Sequence, residues 1–478
     1  MTRREWLGST PGWIAPLAAA QGVAQEQRPV GSQRPNIVMI ISDQFRADNL
    51  GCMGLNPMNL TPNLDGLASR GVLFRNAITS QPVCAPARAT LFTGQYAERH
   101  GVWHNGPGID PKASTVATAM RQAGYSTNYI GKWHLAPNQQ RTDAQKGPVP
   151  PQYRGGFADF WEASNELEHT SHAYEGEIFA SDGTPIRYSG TYRSEFLTGR
   201  AVRFLKEHRG TKPFLLVVSY LNVHHQNDSD TYVPPKEYAN RYKNFFVPQD
   251  LRSLPGSWPS QLSDYYGCVA SMDDCVGTLL RTLKEEGLEQ NTIVSFMSDH
   301  GCHFKTRNTE YKRSPHESSI HIPLIIGGPG FDRPAQVDRL VSHVDLAPTF
   351  LEAAGVAVPQ SMQGRSFWPV ISNPGHPWRD EVYIHMSEYM VGRILRTPEW
   401  TYAVATPKRQ GWRATASSDS YVEYMLYDLK ADPFQHVNLA GRAETREISM
   451  KLRQRMLDRI VEAGGTRPQI ESCYFPYS

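Results

Sequence analysis

No close Cys-x-x-Cys pair occurs among the six cysteines of this 478-residue chain (Cys52, Cys84, Cys268, Cys275, Cys302 and Cys473), which argues against a structural zinc site. Cys268 and Cys275 stand at helical i, i+7 spacing between Asp264 and Lys284 and read as buried core thiols. Net charge is almost absent too. The 49 basic and 47 acidic residues leave +2, which gives no global pull toward nucleic acid or a membrane surface. No run past the N-terminal segment approaches the roughly 20 apolar residues of a membrane span, so stable membrane insertion is not expected. Any preference for an anion must be local.

A hydrophobic content of 40% over this length is enough for a large α/β core with a second, smaller subdomain. The chain opens Met1-Thr2-Arg3-Arg4-Glu5-Trp6-Leu7, and Ala18-Ala19-Ala20 and Val23-Ala24-Gln25 offer cleavage contexts. This reads as a twin-arginine export signal. Residues 1–34 are therefore set apart from the fold, and the protein is expected in the periplasm or outside the cell.

The uninterrupted apolar run Asn36 to Ser42 predicts a strand buried on both faces of a parallel sheet, and Asp43-Gln44 follow at its carboxyl end, where open α/β sheets build their sites. Asn291 to Ser298 repeats the pattern and ends in Asp299-His300-Gly301. A single Asp after a strand is ordinarily a turn or cap residue. Two such endings, together with a third motif, point to one shared edge. That motif is Cys84-Ala85-Pro86-Ala87-Arg88, running into a helix-like segment. A cation and a helix N-terminus beside one thiol favour the thiolate and a bound anion. Hard oxygen donors suit Ca²⁺ or Mg²⁺, and a His among them also admits Mn²⁺.

Further candidates lie between and beyond. Thr127 to Leu135 reads as a strand whose end carries Lys132 and His134, placed on one side if the extended geometry continues. Pro213 to Tyr220 is another buried strand and leads to His224-His225. Lys312 precedes Glu317 by five residues in a cationic cluster with Lys305, Arg307 and Arg313, of the kind that usually marks a solvated face.

Taken in order, Ser42-Asp43-Gln44, Cys84-x-Pro-x-Arg88, Gly131-Lys132-Trp133-His134, Ser298-Asp299-His300-Gly301 and Leu426-Tyr427-Asp428-Leu429 resemble the type I sulfatases of the alkaline phosphatase superfamily. The likeness covers nearly the whole chain from Pro35 onward. It implies an alkaline-phosphatase-like fold with a large central mixed, mostly parallel sheet flanked by helices, and a smaller C-terminal α+β subdomain. It also implies that Cys84 is oxidised to formylglycine by a separate formylglycine-generating enzyme. The implied metal ligands are Asp43, Gln44, the residue at Cys84, Asp299 and His300. Gln44 and His300 replace the family's commoner Asp and Asn, as in choline-sulfatase-like and phosphonate-hydrolase-like members. Calcium is the metal expected, with magnesium or manganese admitted. Arg88, Lys132, His224 and Lys312 would neutralise the ester oxygens, Lys312 or His224 would protonate the leaving alcohol, and His134 would deprotonate the second hydroxyl of the hydrated aldehyde.

Residues 35–373 are expected to form the catalytic domain and residues 374–478 the C-terminal subdomain, where shorter strands begin and a helix over Glu447 to Ala463 follows. A helix is predicted over Asp264 to Gly287 and another between Val337 and Gly355. Lys146 to Tyr188 lacks periodicity and reads as an irregular insert, in which Trp161 and His172 are sugar-binding candidates; His225 is a third. The expected reaction is hydrolysis of a sulfate ester on a sulfated sugar or oligosaccharide. The alternatives are a phosphodiester or phosphonate monoester hydrolase of the same superfamily, or a non-catalytic sulfoglycan-binding protein.

Overall fold

The computed structural model describes residues 34–137, 146–208, 210, 212–407 and 415–473. The paired-arginine segment lies outside them. The first strand, β1 (Asn36–Ser42), is buried along its whole length. Ile37, Met39 and Ile41 face one core layer and Val38 and Ile40 the other, as an apolar run between two layers of helices requires.

Three parallel partners decide where the polar ends fall. β2 (Ser126–Lys132) pairs with β3 (Phe214–Ser219), β3 with β1, and β1 with β4 (Thr292–Ser298). Ser42 is level with Ser298, so Asp43 and Asp299 leave the sheet side by side. Ser219 is level with Ile41 and Gly131. Gly131 adopts φ +101°, and a Cβ there would lie 2.0 Å from the Ser219 carbonyl oxygen, so only glycine permits this strand contact. Among the described residues the sheet has ten strands. Beyond β4 lie Leu324–Gly327 (antiparallel), Val72–Phe74 and Ala335–Val337; beyond β2 lie Phe160–Ser164 (parallel), Glu175–Ala180 and Pro185–Ser189.

That last group corrects the reading of Lys146 to Tyr188 as irregular. Strands are present, but their period is hidden by Glu162, a buried acid in the strand Phe160–Ser164 that forms ion pairs with Arg200 and Arg203. The helix predicted between Val337 and Gly355 is also shorter than expected. Val337 ends a strand, Val341–Ser342 forms another, and the helix runs only over Leu346–Ala353. Asp345 Oδ2 accepts the Ser342 amide at 2.9 Å and fixes a tight turn ahead of it.

The helix α1 (Cys84–Thr93) is buried at every position, and α2 (Trp258–Glu285) packs Cys268 and Cys275 into the core. A five-stranded C-terminal sheet follows, containing β5 (Val382–Met386), β6 (Gly392–Arg396), β7 (Trp400–Ala405) and β8 (Ser420–Asp428). The helix Arg446–Ala463 covers it, and Ile384 and Ile394 pack against Ile78, Ile320 and Leu340 near the edge of the main domain. Among the described residues, no helix is long and apolar enough to cross a membrane.

Candidate active site

Register brings the strand ends together, and α1 supplies the thiol. Cys84 Sγ lies 3.0 Å from Lys312 Nζ, 3.3 Å from His300 Nε2 and 3.7 Å from Asp43 Oδ1. Burial and the Asp43 carboxylate push the thiol pKa up, but the Lys132 and Lys312 ammonium groups outweigh them and hold it well below the usual value.

Asp43 is wholly buried, between the Lys132 ammonium at 2.8 Å and the Arg88 guanidinium at 3.4 Å. Burial opposes its charge, yet the Lys132 and Lys312 ammonium groups keep its pKa well below the carboxylate range. Lys132 Nζ also reaches Glu168 Oε1 at 2.9 Å. Arg88 donates to Asp299 Oδ2 at 3.1 Å, to Ser219 Oγ at 2.6 Å and to the Lys132 carbonyl at 3.1 Å.

The donor set fits a hard divalent cation. Asp43, Cys84, Asp299 and His300 each offer one atom, and these atoms lie within 4.8 Å of one another. Gln44 Nε2 donates to the Tyr232 hydroxyl at 2.7 Å, while Gln44 Oε1 is buried with no hydrogen-bond partner, a free oxygen at the same edge. His300 Nδ1 lies 3.0 Å from the Gly301 carbonyl, which places its proton there and leaves Nε2 as a lone-pair donor. In a second cluster, His134 with Glu166 and Glu168, Glu168 already pairs with the Lys132 ammonium.

His224 Nδ1 lies 2.6 Å from the His225 carbonyl, so Nε2 is the acceptor, and it faces Lys312 Nζ at 3.3 Å. Burial, Lys312 and His225 together drive the His224 pKa well below its ordinary value, so the ring is neutral. At His134, burial and Lys132 push the pKa down, but the Cys84 thiol, Glu168 and Glu166 outweigh them and raise it. Both His134 ring nitrogens are buried without a hydrogen-bond partner.

The sulfatase family model matches residues 35–356. The chain belongs to the sulfatase family. The C-terminal family of N-sulphoglucosamine sulphohydrolase matches residues 309–462. The ulvan-active sulfatase of Formosa agariphila is 30% identical over 462 residues, covering 92% of this chain and 83% of that protein. The N-acetylglucosamine-6-O-sulfatase of Bacteroides thetaiotaomicron is 26% identical, covering 94% of this chain and 90% of that one. The crystal structure of the YidJ sulfatase from Bacteroides fragilis has a TM-score of 0.79 at 25% identity, covering 92% of this chain and 98% of its own. This protein is a sulfuric ester hydrolase with the alkaline-phosphatase-like fold.

Within this sulfatase, Cys84, Asp43, Gln44, Asp299, His300, Lys132, His224 and Lys312 converge at one buried edge. The other four candidates have different surroundings. Arg88 is buried with its guanidinium bonded to Asp43, Asp299 and Ser219. Trp161 is 2% exposed and packs on Tyr129 at 5.3 Å and Trp133 at 5.6 Å; it is a core residue and cannot stack on a sugar. His172 is exposed and pairs with Asp228 at 2.8 Å, and none of its observed contacts reaches the Cys84 cluster. His225 stacks on Tyr311 at 4.0 Å and on His224 at 4.4 Å, bracing the His224 ring.

The backbone corrects one more expectation. Gly131 and His134 both have positive φ, so the chain turns at the end of β2 and the extended geometry assumed for Lys132 and His134 does not continue. Glu168, Glu166 and Tyr232 were not foreseen. The parallel pairing of Phe160–Ser164 with β2 leads into the segment that sets Glu168 beside Lys132 and Glu166 near His134, and no spacing in the chain announces it.

Proposed function

We propose that this sulfatase removes sulfate from a sulfated sugar or oligosaccharide, with Cys84 converted to formylglycine and a divalent cation, calcium first and magnesium or manganese next, held by Asp43, Gln44, Asp299, His300 and residue 84. The observation that carries this reading is the buried Cys84 side chain at the start of α1, with Lys312 Nζ 3.0 Å away and the free Gln44 oxygen at the same edge. Relatives named for ulvan and N-acetylglucosamine-6-sulfate support the carbohydrate class. Export by the Arg3-Arg4 signal would bring the enzyme to such polymers.

When bound, the cation supplies positive charge beside the sulfate oxygens, and the hydrated aldehyde supplies one hydroxyl for attack and a second for sulfate release. The chain's own residues do the rest. Lys132 is locked between Asp43 and Glu168, so its charge stays fixed next to residue 84. Neutral His224 offers only a lone pair toward Lys312 and cannot be the resting proton donor. Lys312 Nζ is therefore the acid for the leaving oxygen, with His224 Nε2 holding it in place. His134, whose ring nitrogens have no hydrogen-bond partner, takes the proton at residue 84 as base, and Glu168 and Glu166, 3.9 and 4.0 Å away, favour the imidazolium that results.

Mass spectrometry of the Gln81 to Arg99 peptide, on protein co-expressed with a formylglycine-generating enzyme, tests the nucleophile: a loss of about 18 Da at Cys84 is expected. Parallel assays with aryl sulfate, aryl phosphodiester and sulfated glycans test the class. A large preference for the diester would move the enzyme to phosphodiester or phosphonate hydrolysis. Glycan binding without turnover by aldehyde-bearing protein would leave a binding protein.

A further inference from the structure

The turn between β5 and β6 belongs to the C-terminal sheet, yet its Glu388 reaches into the nucleophile's surroundings. Glu388 is 5% exposed and adopts a left-handed backbone, φ +64°, a conformation that residues other than glycine take only when their surroundings hold them there. Its Oε1 accepts the Asn105 backbone amide at 2.6 Å, and its Oε2 forms an ion pair with Arg313. Each partner leads directly to a reacting group. Asn105 Oδ1 accepts the amide of Ala85, the residue after Cys84 at the start of α1, at 3.0 Å. Arg313, itself left-handed at φ +69°, follows Lys312, whose ammonium lies 3.0 Å from Cys84 Sγ.

The same turn is fastened to the loop entering Cys84. The His385 amide donates to the Ser80 carbonyl at 2.9 Å, and Gln81 Nε2 donates to Ser387 Oγ and to the Trp103 carbonyl, each at 2.7 Å. One buried carboxylate thus ties together the helix that carries the nucleophile and the loop that carries the proton donor.

We propose that Glu388 is a positioning residue for sulfate-ester hydrolysis: through Asn105 and Arg313 it sets the separation between residue 84 and Lys312 Nζ. This inference rests on the reading of residue 84 as nucleophile and Lys312 as acid. Because a buried carboxylate that touches only protein groups acts on geometry, its loss belongs in kcat and not in KM, and small misplacements of reacting groups are costly.

The experiment compares wild type, Glu388→Gln and Asn105→Ala, all co-expressed with a formylglycine-generating enzyme, on an aryl sulfate. Glu388→Gln keeps an oxygen for the Asn105 amide and removes the charge that holds Arg313; Asn105→Ala leaves that ion pair intact and frees the Ala85 amide. The expected result is a kcat lower by roughly tenfold or more in both variants, with KM within about threefold of wild type and equal aldehyde at position 84 by peptide mass. Adding Arg313→Gln to Glu388→Gln should cost little more, because the two side chains act as a unit. Unchanged kcat in both single variants, or a loss confined to KM, overturns the proposal. Wild type lacking both aldehyde and activity overturns the nucleophile reading itself, and shows in the control before any variant is compared.

Discussion

The Lys132–Asp43 ion pair and the His172–Asp228 hydrogen bond have the same length, 2.8 Å, in opposite surroundings: both partners of the first are wholly buried, whereas 57% and 60% of the side-chain surfaces of the second are exposed. At the sheet edge each charge is held by several others, and Asp43 alone meets Lys132, Arg88 and His300. On the insert, water screens the pair and little depends on it. Distance alone does not show which charges carry chemistry. Burial combined with multiple partners does, because an uncompensated charge is expensive only where water cannot reach it.

The strongest way to break this contrast is Cys84→Ala, which removes the proposed nucleophile from the buried edge. Turnover of aryl sulfate should fall by at least about 10³-fold while the thermal transition stays near that of wild type. Residual activity close to wild type would place the chemistry elsewhere. Next in size is Asp43→Asn, which leaves Lys132 and Arg88 buried with one fewer counter-charge. A loss of about 3–5 kcal/mol in unfolding free energy, read by denaturant titration, is expected together with weakened calcium binding by calorimetry.

A third test sharpens the role of burial through pH. His100 is buried, and its Nδ1 accepts the Val102 amide at 3.1 Å, so the ring must stay neutral; burial pushes its pKa down to about 3. The folded state then binds fewer protons than the unfolded state, in which His titrates near about 6.5. Its stabilising effect is present above that value and is lost as pH falls through it, by up to about 1.4 kcal/mol per pH unit. Half-buried His225 and buried His303, each pushed down to about 3, and buried His343, pushed down to about 4, act in the same direction. Melting temperature should therefore drop from pH 7 to pH 5, and His100→Gln should flatten that slope. The smallest effect belongs to the exposed pair: His172→Ala should change aryl sulfate kcat and KM by less than about threefold.

Much of the site is legible in the residues. Each of β1 and β4 is an apolar run with a polar ending, and in both cases burial on two faces dictates the run while the sheet's carboxyl edge receives the ending. Cys84 and Arg88 lie one helical turn apart, so their motif can be read locally. Trp161 was misplaced for the opposite reason. An aromatic in a segment without visible period suggests a binding surface, and only the packing of Tyr129, Trp133 and Phe157 shows it to be core. Glu168 and Glu388 carry no local signal either. One becomes relevant through strand pairing, the other through the docking of a second sheet.

The sequence by itself determined the family, the buried strands and the donor types offered at their ends, because side-chain chemistry and hydrophobic period are local properties. Tertiary structure decided which of those donors meet and in what state. The Ser42–Ser298 register sets Asp43 beside Asp299, the Gly301 and His225 carbonyls select the tautomers of His300 and His224, and burial fixes which groups carry charge. The meeting of Asp43 with Asp299 across the paired strands joins residues more than 200 positions apart, and no window of sequence contains it.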